Sequence, residues 1–245
     1  MKGLLVRIGV DQAYGGWNAP VDTERRFVYV PIPEKRGTPF HPGLERRYGE
    51  VLPALQRFCA EHHCDLYGDL RFPRELLDHP MHLDPDFECL TYGDDGARRG
   101  AGMVNMDEGD LLLFYGGMRP IQPCEHKLVY ALMGLYVVQE VLPVAHVPPE
   151  RWYENAHVRK TKRGETDILV RAKPDVSGRF DRCIHIGEWR GGAYRVRQDL
   201  LDAWGGLSVK DGFIQRSAVP PSLNDPTRFL DWLQKQGSQL ISRNN

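Results

Sequence analysis

The stretch whose reading decides the fold is EGDLLLFYGGMRP, Glu108–Pro120, taken together with HKLVYALMGLYVVQEV, His126–Val141. Gly109 and Asp110 form a turn into a strand over Leu111–Tyr115, which Gly116 and Gly117 end. The second segment predicts a long strand bent at Gly134, because a glycine inside a strand marks a bulge or a close backbone approach. The two apolar runs are spaced as a meander and not as a βαβ crossover, so antiparallel pairing is expected.

Working outward, GLLVRIGVD is a short strand ending at Asp11, and YGGWNAPVD after it is an ordered Gly/Pro loop. RRFVYVPIPE predicts a second strand over Arg26–Ile32, stopped by Pro31 and Pro33. Between Gly43 and Cys64 the apolar residues Leu44, Tyr48, Val51, Leu52, Leu55, Phe58 and Cys59 recur in threes and fours, which predicts an amphipathic helix with Pro53 as a kink or an early boundary. Downstream, a helical turn is expected over Trp152–Ala156 and strands over Asp167–Val170, Arg182–Ile186 and Ala193–Val196. RQDLLDAWGGL reads as a short helix closed by Gly205. A terminal helix is expected with Asn224 or Asp225 as N-cap, Pro226 in its first turn, and Phe229, Leu230, Leu233 and Leu240 inward. The expected class is therefore α+β: one domain over 1–245, built on a mixed or antiparallel sheet with flanking helices, a barrel being one form such a sheet can take.

Lys+Arg of 32 against Asp+Glu of 33 gives a formal net charge of -1, which excludes a global field drawing the chain to nucleic acid or membrane. Any basic surface must be local. The apolar run Leu4–Val10 is broken by Arg7 and is too short for a signal peptide or a spanning helix, so a cytoplasmic protein is expected. The 5 cysteines include no C-x-x-C pair, which argues against a disulfide framework and a Cys-rich zinc site.

The chemistry-bearing segment is MHLDPDFECLTYGDDG, Met81–Gly96. His82-Leu83-Asp84 is an H-x-D pair; in extended backbone it sends both side chains to one face, as a 2-His-1-carboxylate iron site requires once a distant histidine completes it. The candidates for that histidine are His157 and His185, while His62 and His63 look structural or solvated. The bland alternative is an acidic loop bracketed by Pro80 and Pro85, its aspartates capping backbone N–H groups. Asp86, Asp94 and Asp95 are open to either account, as oxygen ligands for a hard cation or as caps. Trp17 and Asn18 offer a stacking face and an amide that suit a flat ligand, or else a core indole and a turn residue. Arg159, Lys160, Lys162 and Arg163 form the one dense basic run, which Lys127, Arg179, Arg182, Arg190, Arg195 and Arg197 would extend toward phosphates if they shared a face. A nucleophile elbow, a Walker loop and a Rossmann fingerprint are absent, which removes the commonest acyl-transfer, NTP-hydrolysing and dinucleotide readings.

Taken in order, LLVRIGVDQAYGGWNAPVD, RFVYVPIPE, HLDPDFECLTYGD, GDLLLFYGGMRP, LMGLYVV, NAH, SGRFDRCIHIGE and GLSVKDGFIQRS resemble the third class of the nucleotide-modification-associated domain family over nearly the whole chain. GDLLLFYGG with ALMGLYVVQEV also resembles the paired strands of PUA-like modules of the EVE and ASCH groups, which bind RNA or modified bases in small barrels. The first resemblance points to a site at His82–Asp94 without naming a reaction, and the leading expectation is an enzyme of nucleotide or nucleic-acid base modification. In it the H-x-D pair, His82 and Asp84, with His157, holds a divalent metal such as iron, and Asp11, Asp86, Tyr92 and Asp94 are acid-base groups. Trp17, Asn18, Tyr115, Arg179, Gln215 and Arg216, with Ser217 beside them, would meet a nucleotide or nucleic-acid partner. The second implies a non-catalytic reader of modified bases built around Trp17, Asn18 and Tyr115. A third, plainer expectation is a partner subunit whose acidic loop meets another protein.

Overall fold

The computed structural model describes residues 1–122, 124–125, 127–215 and 219–245. Its centre is the pair read first from the sequence. Strand β6 (Leu111–Pro120) runs antiparallel to the 15-residue β7 (Val129–Pro143). β1 (Gly3–Arg7) lies parallel to β6, as does the short β2 (Pro20–Val21) at its far end, so the sheet is mixed. The first part of β7 pairs with β9 (Gly178–His185), and its last part with β8 (Asp167–Ala172), which in turn pairs with β5 (Thr91–Asp95). The path runs β1-β6-β7-β8-β5 and nothing joins β5 back to β1, so among the described residues the sheet is open and the PUA-like barrel form is corrected.

Both faces of this sheet are covered, which explains why LLLFY is a continuous apolar run and not an alternation. Leu4, Val6, Leu112 and Phe114 point into one core with Tyr29, Tyr48 and helix α1 (Leu52–His62). Leu5, Leu111, Leu113 and Tyr115 point into the other, against helices α3 (Gln198–Trp204) and α4 (Pro226–Leu233). β7 serves both and changes parity along its length: Ala131 and Met133 face the first core, then Tyr136 and Val138 do, with the register shifting between Leu132 and Gly134. A Cβ on Gly134 would lie 2.6 Å from Phe87 Cε1 and 2.8 Å from the Gly178 carbonyl, so the bend sits where two neighbours touch bare backbone.

Several expected elements shift for identifiable reasons. Phe27–Val30 is buried but carries only an isolated bridge from Phe27 to Val21, and the strand of this segment is β3 (Ile32–Pro33). The helix expected from Gly43 begins only at Leu52, with Pro53 in its first turn, where a missing N–H costs nothing, and a 3-10 turn Tyr48–Glu50 precedes it. His82, expected in a loop, lies on β4 (Met81–His82), which pairs with β3. The Gly93–Gly96 segment, expected as a turn, belongs mostly to β5. Leu240 leaves the terminal helix and joins β12 (Leu240–Ile241) on β9, still packed on the second core. The hairpin of β10 (Gly187–Arg190) and β11 (Ala193–Val196) follows β9. Among the described residues no helix is long and apolar enough to cross a membrane.

Candidate metal centre

The residues between β4 and β5 are held from beneath by Phe87. Its ring is fully buried and makes edge contacts with Tyr29 (5.2 Å), Phe114 (5.7 Å) and Tyr136 (5.7 Å). Each such contact contributes roughly 0.5–1.5 kcal/mol beyond area burial. Asp86 fixes the same loop: its Oδ1 accepts from Glu88 N (3.1 Å), Cys89 N (3.3 Å) and Asn244 Nδ2 (3.1 Å), and its Oδ2 accepts from Arg159 Nη2 (2.6 Å). Asp86 and Arg159 thus form a buried ion pair with no access to the cleft. Asp86, expected as a catalytic group, and Arg159, expected at phosphate, are placed against each other in the core, with Arg159 also donating to the Tyr153 carbonyl.

Above this floor three elements converge. β4 carries His82, the loop after it Asp84, and the first turn of α2 (Ala156–Arg159) His157. His82 Nε2 lies 3.8 Å from Asp84 Oδ2, and His157 Nε2 lies 3.9 Å from the same oxygen. All three ligand atoms fall within 4.8 Å of one another. Two donors about 2.1 Å from one ion would stand about 3.0–3.4 Å apart at octahedral or tetrahedral angles, so the three groups would have to draw in around a cation, by roughly half an ångström or more at the two Asp84 contacts.

The outer groups set the histidine tautomers. His82 Nδ1 lies 2.8 Å from Glu34 Oε2, and His157 Nδ1 lies 2.9 Å from Asp167 Oδ2. A carboxylate only accepts, so each Nδ1 donates and each Nε2 is the ring atom turned toward Asp84, the carboxylate–histidine arrangement that orients metal ligands. Pairing of β3 with β4 puts Glu34 beside His82; Asp167 opens β8 opposite Asp95. Burial works to raise the Glu34 carboxyl, but the His82 hydrogen bond and the charges of His82 and Lys160 outweigh it and bring it down to about 2. Asp84 moves the other way: burial pushes its carboxyl up against the pull of His157, His82, the Asn155 amide and the Gly93 N–H. A carboxylate desolvated in this way gains from a cation.

Asp84 is aimed by Asn155, whose Nδ2 donates to Oδ1 at 2.8 Å, and by the Gly93 N–H at 2.9 Å. Asn155 also caps α2, its Oδ1 accepting from His157 N at 2.9 Å, so one amide side chain ties two of the three ligands together. Gly93 is small of necessity: a Cβ there would meet His157 Cδ2 at 2.5 Å and Asn155 Oδ1 at 2.8 Å.

The triad opens into a cleft of about 800 Å³, within the range of small-molecule sites. Asp11, Asn18, Tyr92, Asp94 and Gln215, all read from the sequence, share its wall with Arg7, Tyr14, Arg99 and Tyr130. Asp11 pairs with Arg7, and its Oδ1 caps Ala13 N (2.7 Å) and Tyr14 N (2.8 Å). Burial pushes the Tyr92 phenol well up; it therefore stays protonated and donates to Asp94 Oδ2 at 2.7 Å. Asn18 Nδ2 donates to the Gly117 carbonyl at 2.7 Å.

Other expected ligand-binding residues lie elsewhere. Trp17 is a core indole, its Nε1 donating to the Leu70 carbonyl at 2.6 Å and its ring edge-on to Phe72, so it offers no open stacking face. The Tyr115 hydroxyl donates to the Ile214 carbonyl at 2.9 Å inside the second core. Arg179 is buried against Phe27 (5.0 Å) and donates to the Arg243 carbonyl at 3.2 Å. Arg216 and Ser217 lie outside the described residues. His185 sits on β9 opposite Ala131, away from the triad, and His62 Nε2 lies 3.1 Å from Asp22 Oδ2.

Glu34, Asn155, Asp167, Arg7 and Arg99 were not picked out as site residues by sequence. Asn155 had a usable signal, an asparagine directly before a helical turn carrying a candidate ligand. Glu34 and Asp167 had none, because their value depends on strand pairing.

No curated protein and no solved structure matches the chain. The model of a family described as nucleotide modification associated domain 3 matches residues 2–203, a span that holds His82, Asp84, His157 and both outer carboxylates. That description associates the family with nucleotide modification, and the chain belongs to the nucleotide modification associated domain 3 family.

Proposed function

We propose that this protein is a metal-dependent enzyme that modifies a nucleotide or a nucleic-acid base, with iron held by His82, Asp84 and His157. The observation that carries this is the convergence of two imidazole Nε2 atoms on Asp84 Oδ2, each ring tied at Nδ1 to its own carboxylate. Two histidines and one carboxylate would hold the ion, and iron bound by them would supply redox chemistry. The chain's own groups orient the rest. Asn155 and Gly93 fix the Asp84 carboxylate, Tyr92 keeps a proton toward Asp94 on the cleft wall, and Arg7 and Arg99 give the same wall positive charge.

A cytoplasmic setting agrees with the unbridged thiols of Cys59, Cys64, Cys89 and Cys183. The alternative of a base-reading module needs Trp17 and Tyr115 on an open surface, and both are buried.

Elemental analysis of tag-free protein, with anaerobic Fe(II) titration, tests the proposal. One ion per chain is expected, lost in His157→Ala while the far-UV spectrum is kept. A chain that binds no iron, manganese or zinc, and whose melting temperature ignores all three, would count decisively against a metalloenzyme.

A further inference from the structure

If the cleft modifies nucleotides, its walls and the rest of the surface bear on whether it takes a free nucleotide or a polymer. Arg99 is the unusual member of the wall. Among the described residues only one of its hydrogen bonds is made, from Nη2 to the Arg7 carbonyl at 2.5 Å, although a guanidinium carries five N–H donors. Its Nε is buried with no hydrogen-bond partner, and the nearest carboxylate oxygen, Asp94 Oδ2, stands 3.6 Å away, outside hydrogen-bonding range. A buried donor left open costs stability, and the rest of the guanidinium, on a side chain 37% exposed, is accessible to an acceptor in the cleft. Arg7 stands beside it, with Nη1 given to the Gln215 carbonyl at 2.5 Å and Nη2 to Asp11. A planar fork with unused donors in a cleft suits a phosphate or carboxylate oxyanion.

Most of the groups that would track a polymer backbone are engaged elsewhere, Lys127 and Lys162 being exposed exceptions. In the basic run, Arg159 is buried on Asp86, Lys160 faces Glu34 at 3.6 Å, and Arg163 lies over the Trp152 ring at 4.4 Å while donating to the Val158 carbonyl. Arg190 and Arg195 both pair with Asp211, and Arg197 pairs with Asp199. Binding a strand of nucleic acid rests on several uncommitted cations along a groove. The open donors of Arg99 lie on the wall of the pocket.

We infer that the cleft takes a free nucleoside monophosphate, with its phosphate on the open donors of Arg99 beside Arg7 and its nucleoside toward His82, Asp84 and His157. The inference rests on the proposed function for the choice of nucleotide over other anions, but phosphate recognition by Arg99 does not need the metal.

The test is therefore a calorimetric titration of the full chain in excess chelator. The probes are the eight common ribo- and deoxynucleoside 5′-monophosphates, the matching nucleosides, inorganic phosphate and a mixed-sequence single-stranded 12-mer. At least one monophosphate is expected to bind tenfold to a hundredfold more tightly than its nucleoside, on the order of one or two charge-assisted hydrogen bonds. Arg99→Met removes that preference, and the 12-mer binds no better than the best monophosphate. Should Arg99→Met fail to fold, Arg99→Lys serves, because it keeps a charge without the fork and should lose most of the preference. Equal binding of nucleotide and nucleoside, an unchanged preference in the Arg99 variant, tighter binding of the 12-mer or of inorganic phosphate alone, or no binding of any monophosphate would each overturn the inference. A chain that binds a monophosphate this way but takes up no metal would refute the metalloenzyme proposal alone.

Discussion

Replacing Gly93 by alanine sets a methyl carbon 2.5 Å from His157 Cδ2, 2.8 Å from His157 Cγ and 2.8 Å from Asn155 Oδ1. Ordinary contact needs about 3.4 Å or more, so the imidazole must retreat by close to 1 Å or strand β5 must bow. Either movement strains the same small set of bonds: Gly93 N–H and Asn155 Nδ2 to Asp84, and Asn155 Oδ1 to His157 N. Overpacking of this kind costs about 1–3 kcal/mol, which for a chain of this length lowers the melting temperature by roughly 2–12 °C. Because His157 itself is displaced, affinity for Co(II), used as a spectroscopic substitute for iron, should fall by roughly tenfold to a hundredfold. Gly49→Ala is the matched control, since its added Cβ comes no nearer than 3.9 Å to its closest neighbour, the Leu77 carbonyl. The assay is a Co(II) absorption titration beside a thermal melt for wild type and both variants. Wild-type Co(II) affinity in Gly93→Ala would refute the claim that this glycine shapes the centre.

Glu34→Gln keeps the shape beside His82 but lets either tautomer form, so metal affinity measured by competition with a chelator should fall about tenfold to a hundredfold with little change in melting temperature. Arg159→Met strands the Asp86 carboxylate in the core; chemical denaturation should show a loss of about 3–5 kcal/mol, and Arg159→Met with Asp86→Asn should recover part of it. Burial pushes the thiols of Cys59, Cys89 and Cys183 up to about 12, so iodoacetamide at pH 8 should leave all three unmodified in the native protein while the exposed Cys124 reacts, as read by mass spectrometry.

What the sequence makes legible here is local. The β6 and β7 strands, the bend at Gly134, the span of β11 and the Asp225 cap on α4 follow from turn residues, alternation and capping chemistry that act over a few positions, although β6 runs on through Gly116 and Gly117, expected to end it, to Pro120. The H-x-D pair is likewise local, and extended backbone at His82 does put its ring toward Asp84. His157 could be named only as one of two candidates, because the choice between it and His185 depends on which helix or strand packs over β5. Trp17 and Tyr115 show the opposite failure: an aromatic beside glycines reads equally as a ligand face or as a core filler, and only long-range packing against Phe72 and Ile214 decides. Arg99 carries no signal in its own neighbourhood, since an unused guanidinium is defined by what does not surround it.

The pin from Asn244 to Asp86 gives the far end of the polypeptide a part in the architecture of the centre. Its amide also accepts from Phe87 N at 2.8 Å, and the last residue, Asn245, exchanges two hydrogen bonds with the Tyr29 main chain. The span recognised by the family model stops at residue 203, so these latches, with the Phe229 and Trp232 rings, come from outside it. A fragment cut at that limit would lose α4 from one side of the sheet and the hold of Asn244 on the ground beneath Asp84.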